Sequence, residues 1–176
     1  MNVFHRDAGA AGGSLYVESV SVADIVQAVG SPVYVYSQQY FQSRYRTLEK
    51  AVAQCGDGAR ISYAVKANSN LAVLKTFADL GAGFDIVSAG ELQRVLAAGG
   101  DPGKVVFSGV GKTAEEMDLA LKLGIDCFNV ESSAELARLE ERARLLALPA
   151  RVAFRINPDV DAATHPYIST GLKENK

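Results

Sequence analysis

The sequence predicts an α/β fold built from βα units around a parallel sheet, and three observations carry that expectation. From residue 33 onward, short β-branched or aromatic runs alternate with longer stretches of helical period. Three of those stretches open on one signature, S/T-x-x-E, at Ser88-Ala-Gly-Glu91, Thr113-Ala-Glu-Glu116 and Ser132-Ser-Ala-Glu135, each just after a strand-like run. Gly81, Gly99, Gly100 and Gly124 follow helical stretches, where a left-handed residue ends the last turn. A repeat of about 20–25 residues fits either a doubly wound sheet or a (β/α)8 barrel, and the local pattern leaves both open.

Residues 1–32 are the least regular part. Gly9, Gly12 and Gly13 mark a loose beginning, "SLYVESVS" reads as one strand, and "VADIVQAVG" reads as a short helix closed by Gly30. Strands are then expected at 33–36 (VYVY), 61–65, 83–86, 105–108, 126–130 and 151–156. The intervening helices are expected at 39–54, 70–80, 88–98, 113–123 and 132–147, and in the last of them Leu136, Leu139, Ala143 and Leu146 share one face.

Composition narrows the function classes. With 48% hydrophobic and 22% charged residues the chain is of ordinary globular type, and a net charge of -2 supplies no basic field to gather nucleic acid or an anionic membrane. No leader-like segment is visible at the N-terminus, and no apolar stretch approaches the roughly 20 residues that span a bilayer, so cytoplasmic small-molecule chemistry is expected. Cys55 and Cys127 read as reduced, buried, structural thiols. Neither they nor His5 and His165 have ligand spacing, so no metal site is expected. The final "STGLKENK" holds no stop signal for a helix or strand and reads as a cut.

Chemistry in an α/β fold belongs at the C-terminal ends of the strands. "ISYAVKAN" puts Lys66 there, after Ser62 and Ala64 on its own side of an alternating strand and with Ile61, Tyr63 and Val65 on the other. A lysine among apolar neighbours sheds its proton readily and can attack a carbonyl, whereas one that snorkels to water does neither. Asp85, Ser108, Asn129, Glu131, Arg155 and Asn157 end the following strands and are candidates for the same mouth. "SGVGKTA" resembles phosphate-binding loops only superficially: Val106 stands where a P-loop needs glycine. Gly109-x-Gly111-x-x-Ala114, with Glu131 further on, still fits a dinucleotide fingerprint and keeps a nicotinamide-dependent Rossmann domain as an alternative.

"YAVKAN" (63–68) resembles the cofactor-lysine segment of the fold-type III, pyridoxal-phosphate-dependent decarboxylases. "FDIVSAGEL" (84–92), "FSGVGKT" (107–113), "FNVES" (128–132) and "RINPDVDAATHPYISTGLKENK" (155–176) are similar to successive blocks of the diaminopimelate branch of that family. "GSPVYVYS" (30–37) resembles the segment that leads into the barrel, with Ser37 where an aspartate is common. The resemblance implies pyridoxal 5'-phosphate held as an imine on Lys66, with Asp85 and Arg155 close to the cofactor. It implies a partial, TIM-like (β/α)8 barrel of five βα units over residues 38–176, preceded by residues 1–37 as a segment of a second, β-rich domain. The implied reaction is decarboxylation of meso-2,6-diaminopimelate to L-lysine and CO2 by a homodimer. The family's ring-stacking histidine, phosphate-binding glycines, acidic partner of the ring nitrogen and partner-subunit cysteine would follow Lys176, so residues 1–176 alone are expected to be inactive. A non-catalytic cofactor-binding or regulatory homologue is the other alternative.

Overall fold

The computed structural model describes residues 3–7, 13–56 and 58–158. A small antiparallel sheet comes first, in the order β1 (Phe4–Arg6), β2 (Leu15–Val17) and β3 (Val20–Ser21), and runs directly into α1 (Val22–Val29). After an extended segment follow α2 (Gln38–Val52), β4 (Ser62–Ala64), α3 (Leu71–Asp79), β5 (Gly83–Ile86), α4 (Ala89–Ala97) and β6 (Val105–Phe107). The described chain continues with α5 (Ala114–Leu123), β7 (Cys127–Val130), α6 (Ser133–Leu146) and β8 (Val152–Phe154).

Strands β4 to β8 are parallel and pair in chain order. A doubly wound sheet reverses its order at a switch point, whereas a barrel adds each strand beside the last. The order therefore selects the barrel, and one contact makes its curvature visible. Arg60, just before β4, pairs with Asp126, just before β7. Three flat strand spacings would part their strands by roughly 14 Å, more than an arginine side chain spans, so the sheet must curl. Arg151, just before β8, reaches the other oxygen of Asp126 at 3.3 Å, and one carboxylate gathers the lower ends of three strands.

Alternation along each strand separates two faces. Tyr63, Phe84 and Val105 lie in one register row, and Ile86, Phe107, Phe128 and Val152 in the next. Most of these side chains are fully buried against Leu74, Leu92, Val95, Met117 and Leu139 from the helices, each contributing on the order of 1.5–3 kcal/mol of burial. Leu136, Ala143 and Leu146 pack on the same core beside Leu139, as their spacing predicts. The opposite, helix-free face carries the row Ala64, Asp85, Val106 and Cys127, and then Asn129 and Ala153. Those side chains are small or polar, and leave room above them.

The differences from the sequence reading have local causes. Residues 33–36 are extended but pair with no strand among the described residues, and Tyr34 is 88% exposed. An alternating β-branched and aromatic pattern marks a segment that suits a sheet, but only a neighbouring ladder makes it a strand. "SLYVESVS" is a hairpin rather than one strand, because Glu18 takes a positive φ of 55° and turns the chain. Its carboxylate accepts from Ser37 Oγ at 2.6 Å and from the Gln39 amide at 3.0 Å, so a charge that Ser37 lacks is brought to the start of α2 from the N-terminal sheet. Gly81, Gly99 and Gly124 do adopt positive φ, but Gly100 does not. It is glycine for space: a Cβ there would stand 2.5 Å from Val95 Cγ1 and 3.0 Å from Phe84. Cys55 is exposed rather than buried, on the 3-10 turn after α2, and Cys127 is half-buried on the helix-free face. His165 lies outside the described residues.

Two substitutions should move stability in opposite directions. Gly100→Ala should cost about 1–3 kcal/mol in chemical denaturation, because the added methyl overpacks Val95 and Phe84. Ala147 caps α6 at φ 53°, a left-handed conformation that disfavours a Cβ. Ala147→Gly should therefore stabilise by about 0.5–1 kcal/mol in the same measurement.

Candidate functional site

The C-terminal strand ends form one rim, and its first residue of interest sits on a turn. Strand alternation stops at Ala64, since Val65–Ala67 form a 3-10 turn with Val65 fully buried and Lys66 exposed. The strand expected to run to 65 therefore ends one residue early, Lys66 takes the exposed one of the two settings that the sequence left open, and among the described residues its amine has no hydrogen-bond or ion-pair partner. The turn is fixed from both sides. Tyr63 stacks on Phe77 at 4.2 Å between centroids, and its hydroxyl donates to the Asn68 carbonyl at 3.2 Å, bridging the residues that flank Lys66. Burial pushes the Tyr63 phenol above its usual range, so at neutral pH it remains a donor.

Asp85 lies one strand over, in register with Ala64. Its carboxylate accepts from Ser108 Oγ at 2.5 Å, and Ser108 Oγ in turn accepts from the Asn129 side-chain amide at 3.0 Å. A hydroxyl has one proton. With the amide donating into Ser108, that proton is directed at Asp85, which is held as an acceptor. Three successive strands thus contribute one hydrogen-bonded row on the helix-free face.

Arg155 follows β8 and pairs with Glu131 at 3.2 Å; the same Glu131 oxygen accepts from the Gly109 amide at 3.0 Å. The Glu131 side chain is only 5% exposed. This carboxylate bears on the dinucleotide alternative, because it sits on the backbone N–H that a phosphate would require and would repel it. The start of α5 is also closed: Thr113 and Glu116 form a reciprocal capping box. With the sequential strand order, these contacts overturn the Rossmann reading of Gly109 and Gly111. Burial also pushes the Cys127 thiol up, Asp126 adding to the effect, which disfavours the thiolate that nucleophilic chemistry would need. No cluster of three or more metal-ligating side chains occurs among the described residues.

The sequence reading placed Lys112 only in a rejected phosphate-loop motif and Glu135 only in a capping box, and missed that they pair. Lys112 Nζ is fully buried and donates to Glu135 Oε1 at 2.7 Å and to the carbonyls of Gly109 and Asn129, both at 2.8 Å. Glu135 was legible only as a capping residue, and in fact its second oxygen accepts from the Glu131 amide at 3.0 Å, one residue before the cap. Glu91 behaves likewise, accepting from the Val87 amide at 2.7 Å. The one available signal was a lysine placed directly before a helix cap, and its partner lies on another loop.

The geometry is that of an amine, a fixed carboxylate and a paired guanidinium along one rim of a barrel arc, and comparison with known proteins places the chain in a family. The chain is 57% identical over 172 residues to the diaminopimelate decarboxylase of Pseudomonas aeruginosa, covering 98% of this chain and 40% of that protein. It superposes with a TM-score of 0.88 at 36% identity on the crystal structure of diaminopimelate decarboxylase from M. jannaschii, over 99% of this chain and 40% of the other. For the Helicobacter pylori enzyme complexed with L-lysine the values are 0.81 and 47%, over 87% and 38%. The chain thus spans about 40% of the length of the curated diaminopimelate decarboxylases it matches from Pseudomonas aeruginosa and Vibrio cholerae. A family model, that of the pyridoxal-binding domain of pyridoxal-dependent decarboxylases, matches residues 38–176, and the chain belongs to that family.

Proposed function

We propose that the polypeptide carrying these residues, at the full length of its relatives, removes CO2 from meso-2,6-diaminopimelate to give L-lysine, with pyridoxal 5'-phosphate bound on Lys66. The observation that carries this reading is the unpartnered Lys66 amine on a braced turn at the mouth of the arc, one strand from a carboxylate fixed by hydrogen bonds. The donor set fits the cofactor: a primary amine for its carbonyl, a carboxylate and a guanidinium along the same rim, and small side chains on the face below. When bound, the cofactor supplies the electron sink that accepts the charge left by the departing carboxylate. Lys66 Nζ would hold it, and once released by the substrate's amine would carry a proton at Nζ for delivery to the product. Asp85, kept as an acceptor by Ser108, presents a negative charge beside the cofactor, and Arg155, held by Glu131, presents a positive one.

The wider assembly follows from the same reading. Residues 1–37 belong to a second, β-rich domain in which Val33–Tyr36 finds its missing ladder, and residues 38–176 to the cofactor-binding barrel. The exposure of Val33, Tyr34 and Tyr36 and the unpaired conformation of the segment support that division. The enzyme is a cytoplasmic homodimer on this reading, and no helix among the described residues is long and apolar enough to cross a membrane.

In the full-length protein, Lys66→Ala should abolish CO2 release and the visible absorbance of protein-bound cofactor together, and borohydride should leave the cofactor's mass on the wild-type peptide that contains Lys66. A Lys66→Ala protein with undiminished colour and rate overturns the assignment, and faster release of CO2 from ornithine overturns the substrate. Tyr63→Phe removes the brace across the Lys66 turn, worth about 1 kcal/mol. Titration of the cofactor-free protein with pyridoxal phosphate should show affinity weakened by up to about fivefold, alongside a stability loss of about 1 kcal/mol, because the bond already exists without the cofactor.

A further inference from the structure

Lys112 is a buried cation that the proposed reaction does not use. Its three ammonium protons meet three acceptors on three different pieces of backbone: Gly109 in the loop after β6, Asn129 at the end of β7, and Glu135 in the first turn of α6. The Phe107 ring lies 5.6 Å away beneath it. Two branches leave this hub. Through Asn129, whose side chain donates to Ser108, it reaches Asp85. Through Gly109, whose amide is held by Glu131, it reaches Arg155. Glu135 closes the circuit by accepting from the Glu131 amide.

The geometry points to Lys112 as a positioning residue: its ammonium sets the mutual placement of Asp85 and Arg155 at the cofactor mouth without touching cofactor or substrate. A buried ammonium needs an acceptor for each proton whatever its role, so what distinguishes Lys112 is which acceptors it uses. Here two of the three bonds go to main-chain oxygens of the residues whose other atoms hold the rim, so moving the ammonium moves both branches at once. Lysine suits the task, because a compact ammonium offers three separately aimed donors where a planar guanidinium offers a fork. The inference rests on the reading of Asp85 and Arg155 as cofactor neighbours, and its test separates the two.

In the full-length protein, Lys112→Met strands the Glu135 charge and should lose both stability and cofactor binding. Lys112→Met/Glu135→Gln removes both charges while keeping an acceptor for the Glu131 amide, and should recover most of the thermal stability. If Lys112 positions the rim, that double variant still exchanges its Gly109 amide faster than wild type in hydrogen–deuterium exchange. It also binds pyridoxal phosphate at least about tenfold more weakly, with kcat lowered by about 10²-fold and KM for diaminopimelate little changed. A double variant as stable as wild type, with wild-type exchange at Gly109 and wild-type cofactor affinity, overturns the inference. Should neither variant fold, exchange in the wild type decides: the Gly109 and Glu131 amides should open together as one unit, and independent opening overturns the proposal. A wild-type protein that binds no pyridoxal phosphate would overturn the proposed function, whereas the exchange result stands or falls by itself.

Discussion

The rim depends on carboxylates placed where helices begin. Each βα loop leaves backbone N–H groups uncovered, and in this chain they are covered largely by glutamates from the first turn of a helix. Glu116 satisfies its own cap and also accepts from the Ala89 amide at 2.8 Å, one loop back. Glu135 accepts from its own loop and from Lys112, again one loop back. Arg94 extends the series by donating to the Ser69 carbonyl at 3.2 Å. Capping, usually a local device for ending a helix, here joins neighbouring loops into a continuous edge. A cofactor mouth built from several loops needs that continuity, since its residues come from strands that share no sequence neighbourhood.

The energetic stakes differ around the edge. Arg142 and Asp118, which tie α5 to α6 through a two-pronged contact, remain partly in water, so losing one partner would leave the other charge solvated rather than stranded. The Lys112–Glu135 pair is dry, and removing one partner of such a pair costs about 3–5 kcal/mol because the other charge is left uncompensated. Lys112 avoids the usual weakness of a buried ion by having an acceptor for every proton.

Much of this architecture could be read from residue pattern. Helix starts were clear because Ser88, Thr113 and Ser132 each satisfy an amide three positions away, a range over which sequence and space are nearly the same thing. The strands expected at 83–86 and 105–108, observed at Gly83–Ile86 and Val105–Phe107, were clear because burial of Phe84, Ile86, Val105 and Phe107 on one face imposes an apolar residue at every second position. The Lys66 turn was misread as strand because a buried Val65 looks identical in either conformation. Lys112 was invisible for another reason: its partners lie 3, 17 and 23 residues away, and only the stacking of successive βα units brings them together. Gly100 passed for a helix cap because sequence shows that a side chain is missing, not whether torsion or space requires it.

The contact between Arg60 and Asp126 joins residues 66 positions apart, and it spans the arc as a string spans a bow. Closing so long a loop is unfavourable until the intervening strands and helices have stacked, after which the remaining entropy cost is small. The pair is partly in water, so it marks the curvature set by the packed strands and helices and adds little energy of its own. Among the described residues β4 and β8 are the outer strands of the arc, so the bend that creates the mouth also turns those two outer edges out of the plane a flat sheet would keep.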